Sequence, residues 1–264
     1  MRVGIVTISF NQAKFHQQAI DSVAVTCPYV VVDPGSTDGS REIIERNRDR
    51  FARIIFEPDE GPADGLNKGF AACDADVYGY LNADDRFAPG ALDYVAEYFM
   101  KNPQTDLLLG AIRIIDERGR PSWRGRAPDR MDARKYAAEA CFAWQQATFF
   151  RRKLFERVGG FNPDNPVTWD GELTLEMVLA GARIGYTNRI LGHFRIYEES
   201  LTGSDRLSAA RKTQYERWSR YVPMRPMRAR LERLKYKYNI FRHVRCTFGI
   251  RPVRIPDPQW SGRR

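Results

Sequence analysis

In residues 1–204, short continuous apolar runs alternate with segments in which apolar residues recur at helical spacing. Short continuous apolar runs, typical of buried parallel strands, occupy residues 3–9, 29–33, 53–57 and 77–82. Segments with apolar residues at helical spacing occupy residues 15–25, 41–47 and 63–73. Strands that alternate with helices in this way predict an α/β fold, with a mostly parallel central sheet flanked by helices.

After residue 90 the sequence continues to predict both helices and strands, but they no longer alternate strictly. Helices are predicted at residues 90–102, 154–161 and 169–181, and strands at 107–115, 145–150 and 190–197. The sequence "DERGRP" after the strand at 107–115 predicts a hairpin.

Acidic residues follow three of the first four predicted strands. Asp33 ends the second strand, Asp64 follows the third, and "YLNADD" ends the fourth with Asp84 and Asp85. Ligands of open α/β sheets bind beyond the carboxyl ends of the strands, and carboxylates there suit Mg²⁺ together with phosphate oxygens. The alternative is that Asp84 and Asp85 only cap the following helix, but caps would not need to converge from three strands.

Formal charge divides the chain into an acidic body and a basic extension. Residues 205–264 contain 17 Lys and Arg against 4 Asp and Glu, a charge of +13, and residues 1–204 contain 25 against 29, a charge of −4. We therefore predict a catalytic domain over residues 1–204 and a helical extension over 205–264. There is no apolar run of spanning length and no paired cysteine motif, so a protein of the reducing cytoplasm is expected.

The extension contains a predicted helix that starts near Pro226. Its apolar stripe comprises Met227, Leu231, Leu234, Tyr238 and Phe241. Basic residues surround the stripe, so two interpretations are open. The stripe packs on its own domain, which is the commoner case, or the helix rests on an anionic membrane surface.

Four ordered motifs resemble those of the inverting family 2 glycosyltransferases with the GT-A fold, of the type that assembles bacterial surface polysaccharides. They are "VTISFNQ", "VVDPGSTDGS", "EPDEGPADGLNKG" and "YLNADD". The resemblance covers residues 1–204 and implies a nucleotide-sugar half over about residues 1–115 and an acceptor half over about 116–204. It implies a nucleoside diphosphate sugar as donor, and a carbohydrate or lipid-linked saccharide as acceptor.

The resemblance also assigns roles to individual donor-side residues. Thr7 and Phe10 match positions that frame the nucleoside, and Asp33 matches the acidic residue near the base. Asp64 and Lys68 match an element beside the ribose and diphosphate. In the D-x-D type motif, which begins at Asn82, Asp84 matches the residue that faces the sugar nucleotide and Asp85 the main ligand of Mg²⁺ or Mn²⁺.

On the acceptor side, the resemblance places Gln146 and Trp169 near the acceptor and Asp170 as the general base. Tyr197 stands where relatives have a histidine that helps to hold the metal, so the third protein ligand is left open.

Two other hypotheses for the function are open as well. One is a sugar-phosphate nucleotidyltransferase, although the loop after the first strand lacks the expected glycines. The other is a nucleic-acid-binding protein that uses the basic extension, which lacks the usual recognition motifs.

Overall fold

The computed structural model of the chain describes residues 1–200, 202, 204 and 208–236. Its strands are β1 (Val3–Ile8), β2 (Tyr29–Val32), β3 (Arg53–Ile55), β4 (Val77–Asn82), β5 (Arg86–Phe87), β6 (Leu107–Ile115), β7 (Pro121–Gly125), β8 (Thr148–Arg151) and β9 (Ile184–Arg195). Its helices are α1 (Ala13–Ser22), α2 (Ser40–Arg46), α3 (Pro62–Ala71), α4 (Ala91–Lys101), α5 (Ala133–Ala137), α6 (Arg152–Val158), α7 (Trp169–Leu179) and α8 (Ser208–Tyr221). A further helix, α9, is described over residues 226–236.

Within the described residues, nine strands form one sheet in the order β3-β2-β1-β4-β8-β6-β9-β5, with β7 beside β6. The strands β1 to β4 are parallel to one another. The antiparallel strand β8 separates β4 from β6, and β6 is parallel to β9. The predicted α/β fold with a mostly parallel, helix-flanked sheet is confirmed. The last strand begins at Ile184, earlier than the predicted residue 190, because this part also pairs with β6.

Apolar side chains cover both faces of the sheet. Neighbouring residues such as Phe149 and Phe150 point to opposite faces and belong to two different hydrophobic clusters. One cluster packs against α1 and α4, and the other against α3, α6 and α7. Both faces of the sheet are therefore buried. Polar side chains gather at the ends of its strands.

The helix α8 is part of this core, although it lies in the basic extension. Tyr215 and Trp218 are both buried in the same cluster as Phe150. The Trp218 ring stacks on Tyr136 of α5 at a centroid distance of 6.1 Å. The first helix of the predicted extension is thus packed against the body.

The prediction that the apolar stripe of α9 packs on the domain is wrong for its described members. The exposed fractions are 69% for Met227, 50% for Leu231 and 56% for Leu234. Tyr238 and Phe241, the other predicted members, lie outside the described residues. The opposite face of α9 packs instead: Ala229 is buried, and the Tyr236 ring lies 6.0 Å from the Phe142 ring.

Candidate active site

The carboxyl ends of β1, β2 and β4 lie side by side at one edge of the sheet. Ile8, near the end of β1, is in register with Val32 of β2 and with Asn82 of β4. The residues that follow these strands therefore emerge next to one another. Asp33 and Asp84 are the acidic residues that this register brings to the same edge.

Asp33 organises the loop after β2. Its carboxylate accepts hydrogen bonds from the backbone N–H and the hydroxyl of Ser36, at 2.8 and 2.6 Å, and from Arg41 Nε at 3.0 Å. Burial would raise the pKa of Asp33, but these hydrogen bonds from Ser36 and Arg41 outweigh it and lower the pKa. Asp33 is fully buried, so it shapes the loop, and its predicted place near the base stays a prediction.

Thr7 and Phe10 have contrasting positions at the end of β1. Thr7 is fully buried, and its hydroxyl accepts a hydrogen bond from Tyr29 at 3.0 Å. The structure therefore does not bring Thr7 to the open edge, because its side chain lies inside the sheet packing. Phe10 has 60% of its surface exposed beside the strand ends and offers a ring on which a base could stack.

Asp64 and Lys68 form an ion pair of 2.8 Å on the first turns of α3. Lys68 Nζ also donates to the carbonyl of Pro58 at 2.7 Å. The carboxylate of Asp64 accepts the backbone N–H of Glu60 at 3.0 Å, which ties α3 to the loop before it. The two side chains thus form an intrahelical pair four residues apart, and a role for them at the diphosphate stays a prediction.

Asp85 is bonded on both sides of its carboxylate. Oδ1 accepts the backbone N–H of Arg195 at 2.8 Å, and Oδ2 accepts Nε2 of Gln146 at 2.7 Å. Burial and the neighbouring charge of Asp84 raise the pKa of Asp85 well above its usual range. Asp85 and Gln146 are thus buried and bonded to each other, and their expected roles as metal ligand and acceptor contact stay predictions.

Asp84 is also buried, though less completely than Asp85. Its Oδ2 accepts a hydrogen bond from the Tyr197 hydroxyl at 3.2 Å. Burial raises its pKa, and hydrogen bonds from its own backbone N–H and from Tyr197 oppose that rise. Tyr197, at the position where the resemblance leads us to expect a histidine, therefore contacts the acidic motif directly.

The oxygen atoms at this edge fit a hard divalent cation. Asn82 Oδ1 is buried and has no hydrogen-bond partner in the described part of the chain, and it stands two residues before Asp84. Mg²⁺ and Mn²⁺ take oxygen ligands, commonly one or two from the protein and the remainder from phosphates and water. Among residues 1–200 and 208–236, no three His, Cys, Asp or Glu side chains cluster as a complete metal site. The substrate phosphates would therefore complete the ligand set.

Arg195 is a central residue that the sequence analysis missed. It is buried, its Nε donates to the carbonyl of Asp84 at 2.7 Å, and its guanidinium lies 4.4 Å from the centre of the Phe15 ring. It also donates to the carbonyls of Asp116 and Glu117, at 3.1 and 3.0 Å. Its positive charge partly offsets the repulsion between the two adjacent aspartates. The only sequence signal was its place in the segment "FRIYEESLT".

Asp170 is the second residue of α7, and it lies partly exposed among aromatic side chains. Burial raises its pKa, while backbone N–H groups of the first turn and the charge of Arg211 oppose the rise. Its charge interacts with the hydroxyl groups of Tyr80 and Tyr136. The N-cap of α7 is Thr168, so Asp170 is not the capping residue of this helix.

Trp169 packs the start of α7 against β4. Its ring lies 5.8 Å from the ring of Tyr80 and 5.6 Å from that of Phe161. Tyr80 belongs to β4, the same strand that ends with Asn82. The predicted base and the acidic motif therefore belong to adjoining elements.

Comparison with protein-family models gives a match to "Glycosyl transferase family 2" over residues 4–159. An uncharacterized glycosyltransferase of Nostoc is 27% identical over 217 residues, which are 76% of this chain and 63% of the relative. The O-antigen biosynthesis protein RfbC of Myxococcus xanthus is 29% identical over 178 residues, 63% of this chain and 13% of the relative. The chain thus spans less than two thirds of the length of these relatives.

Two solved structures show the same fold. S. aureus TarS 1–349 in complex with UDP-GlcNAc superposes with a TM-score of 0.66 at 16% identity, over 94% of this chain and 74% of that one. The mannosyltransferase PcManGT of Pyrobaculum calidifontis, in complex with GDP-Man and Mn²⁺, gives a TM-score of 0.63 at 17% identity, over 90% and 69%.

Proposed function

The chain belongs to glycosyl transferase family 2, and we propose that it transfers a sugar from a nucleoside diphosphate sugar to an acceptor hydroxyl with inversion at the anomeric carbon. The observation that best supports this proposal is the contact between β4 and α7. The acidic motif at the end of β4 adjoins Asp170 through the contact between Tyr80 and Trp169. Family membership favours this hypothesis over the nucleotidyltransferase and the nucleic-acid-binding protein.

The proposed reaction is a single displacement. The acceptor oxygen forms a bond to the anomeric carbon while the bond to the diphosphate oxygen breaks, and the electron pair leaves with the nucleoside diphosphate. Asp170 takes the proton of the acceptor hydroxyl, because a neutral hydroxyl is a poor nucleophile. Its raised pKa makes the carboxylate a stronger base than an exposed aspartate.

We propose that Asn82 and Asp84 hold a divalent cation, with Mg²⁺ and Mn²⁺ as candidates. When bound, such a cation neutralises charge on the diphosphate as it departs. Asp85, the main ligand expected from the resemblance, accepts hydrogen bonds from Gln146 and Arg195, and we therefore prefer Asn82 and Asp84 as the ligands. Support for metal use comes from the Mn²⁺ in the PcManGT complex, which shares the fold.

Phe10, Asp64 and Lys68 are the proposed donor contacts among the remaining residues. The exposed ring of Phe10 suits a base, and Lys68 supplies a cation for a phosphate. Because RfbC is named for O-antigen biosynthesis, we place the reaction in polysaccharide or glycolipid assembly.

A thermal-unfolding screen tests the proposed function. The chain is heated with UDP-, GDP- or dTDP-sugars, each with MnCl₂, with MgCl₂ or with a chelator. A ligand that binds only the folded state raises its stability, by about 2.7 kcal/mol at a hundredfold excess over Kd. We expect one nucleoside to raise the melting temperature strongly with metal and weakly with chelator. If no nucleotide sugar changes the melting temperature, the proposal is wrong.

A further inference from the structure

The helix α9 presents an exposed apolar stripe made of Met227, Leu231 and Leu234. At 3.6 residues per turn these three positions lie within an arc of about 60°. Half or more of the surface of each side chain is exposed. In the described part of the chain they form an apolar surface on one side of a single helix.

The opposite side of α9 is fastened to the body. Glu232 forms an ion pair of 3.3 Å with Lys135 of α5, and Ala229 is buried. The Tyr236 ring stacks on Phe142 at 6.0 Å. These contacts hold the helix in place, so the apolar stripe points away from the protein.

Basic side chains line both edges of the stripe. Helical geometry places Arg228 and Lys235 along one edge and Arg230 along the other, with Arg233 further round the helix on the same side as Arg230. All four are exposed. An apolar centre between two basic rows is the pattern of a helix that lies in the plane of a membrane surface.

The basic residues beside the stripe favour one kind of partner for this surface. A second copy of the chain would bring the basic rows of two molecules together, which is repulsive, and a nucleic acid would leave the apolar stripe without a contact. We propose that α9 docks on an anionic lipid bilayer, with its apolar stripe between the headgroups and acyl chains and its arginines at lipid phosphates. In residues 1–200 and 208–236, no helix has the length and apolar character needed to cross a bilayer.

The docking surface also lies close to the acceptor side. Lys135, which binds α9, precedes Tyr136, and the Tyr136 hydroxyl lies against Gly171, the residue after Asp170. A docked α9 would therefore hold the acceptor side near the membrane, within reach of an acceptor carried on a lipid. This last step rests on the proposed function, whereas lipid binding itself does not.

Co-sedimentation of the full chain with lipid vesicles tests the docking. Vesicles of equal parts phosphatidylglycerol and phosphatidylcholine are compared with pure phosphatidylcholine. The variant Met227→Ser/Leu231→Ser/Leu234→Ser removes the stripe, and we expect its partitioning to fall about tenfold or more. The matched control Val25→Ser/Met100→Ser/Leu179→Ser changes three exposed apolar residues elsewhere and should bind as the wild type does. The variant Arg230→Gln/Arg233→Gln should bind less and show a weaker salt dependence.

The proposal is overturned if the full chain does not bind the mixed vesicles, if it binds pure phosphatidylcholine equally, or if the serine variant binds like the wild type. It is also overturned if sedimentation without lipid shows a dimer that the serine variant dissolves, because the stripe then serves a second copy. Melting temperature and its shift with nucleotide should be the same in all variants, which excludes unfolding as the cause. If lipid binding persists but no nucleotide binds, the proposed function fails and the docking surface stands.

Discussion

At the scale of single residues, the carboxylates Glu172 and Asp170 differ in their hydrogen-bond partners. Both oxygens of Glu172 accept side-chain amides, from Asn165 at 2.7 Å and from Gln214 at 3.4 Å. In the part of the chain that the structure describes, the hydrogen bonds that lower the pKa of Asp170 come from backbone N–H groups of its own helix turn. This difference favours Asp170 over Glu172 as the group that takes a proton.

We expect Asp170→Asn to lower turnover about 10²-fold or more while folding and nucleotide affinity stay near those of the wild type. Asparagine keeps an oxygen for the helix N–H groups but is not a base. Steady-state transfer assays and a melting curve measure the two effects, with Asp164→Asn, an exposed neighbour, as the control. Wild-type turnover of Asp170→Asn would mean that the base lies elsewhere, and Glu172 would be tested next.

The raised pKa of Asp170 also sets the pH dependence of transfer. Because its folded-state pKa lies above the ordinary value of 3.8, protonation removes the base at a higher pH than for an exposed aspartate. We expect kcat/KM to fall as the pH is lowered, with the midpoint above that ordinary value. A rate that stays constant down to the ordinary pKa of aspartate would contradict this assignment.

For the metal, Asp84→Asn should abolish the difference in nucleotide affinity between Mn²⁺ and chelator, because it removes the carboxylate that we propose as a metal ligand. Asp85→Asn should keep that difference, since Asp85 is held by Arg195 and Gln146. Calorimetry with the nucleoside diphosphate identified by the screen measures both, and Asp93→Asn on α4 is the control. The reverse result would restore Asp85 as the main ligand, as the resemblance predicts.

At the scale of elements, the sequence predicted the parts that local patterns determine. The apolar runs and their helices correspond to β1 to β4 and α1 to α3, with shifts at the ends, and acidic residues at the strand ends indicated the location of the site. The contacts of Arg195 could not be predicted, because its partners Asp84 and Asp85 lie 111 and 110 positions away. Tyr215 and Trp218, three apart in α8, were a helical signal hidden in a strongly basic segment.

The packing of α7 against α8 depends on the absence of a side chain at Gly171. A Cβ at this position would lie 2.9 Å from Trp218 Cη2 and 3.2 Å from the Tyr136 hydroxyl. We expect Gly171→Ala to lower the free energy of unfolding by about 1–3 kcal/mol, the usual cost of overpacking, although alanine favours a helix. Denaturant unfolding measures this loss, and nucleotide affinity should not change.

A second substitution checks the cause of that loss. Phenylalanine lacks the Cη2 atom, so adding Trp218→Phe to Gly171→Ala should cost less than the sum of the two single changes. Strict additivity would show that the Trp218 contact is not the source of the destabilisation.

At the scale of the whole molecule, charge and packing divide the chain at different places. The charge changes from −4 to +13 at residue 205, which suggested an extension separate from the domain. The hydrophobic core instead continues through α8. The basic residues therefore lie on helices that belong to the folded body. On α9 they are exposed beside the apolar stripe.

The last prediction follows from this difference. Removal of residues 205–264 takes away Tyr215 and Trp218, which fill the core beside Tyr136 and Gly171. Loss of one buried Trp side chain alone costs about 3–5 kcal/mol, a large share of the 5–15 kcal/mol that typically stabilises a domain. We expect this truncated chain to aggregate or to melt far below the full chain, whereas removal of residues 237–264 keeps the contacts of α8 and α9 and preserves nucleotide binding. Melting curves and calorimetry on both forms decide the matter. If the chain of residues 1–204 melts like the full chain and binds nucleotide, then α8 is an appendage and the charge boundary is also the domain boundary.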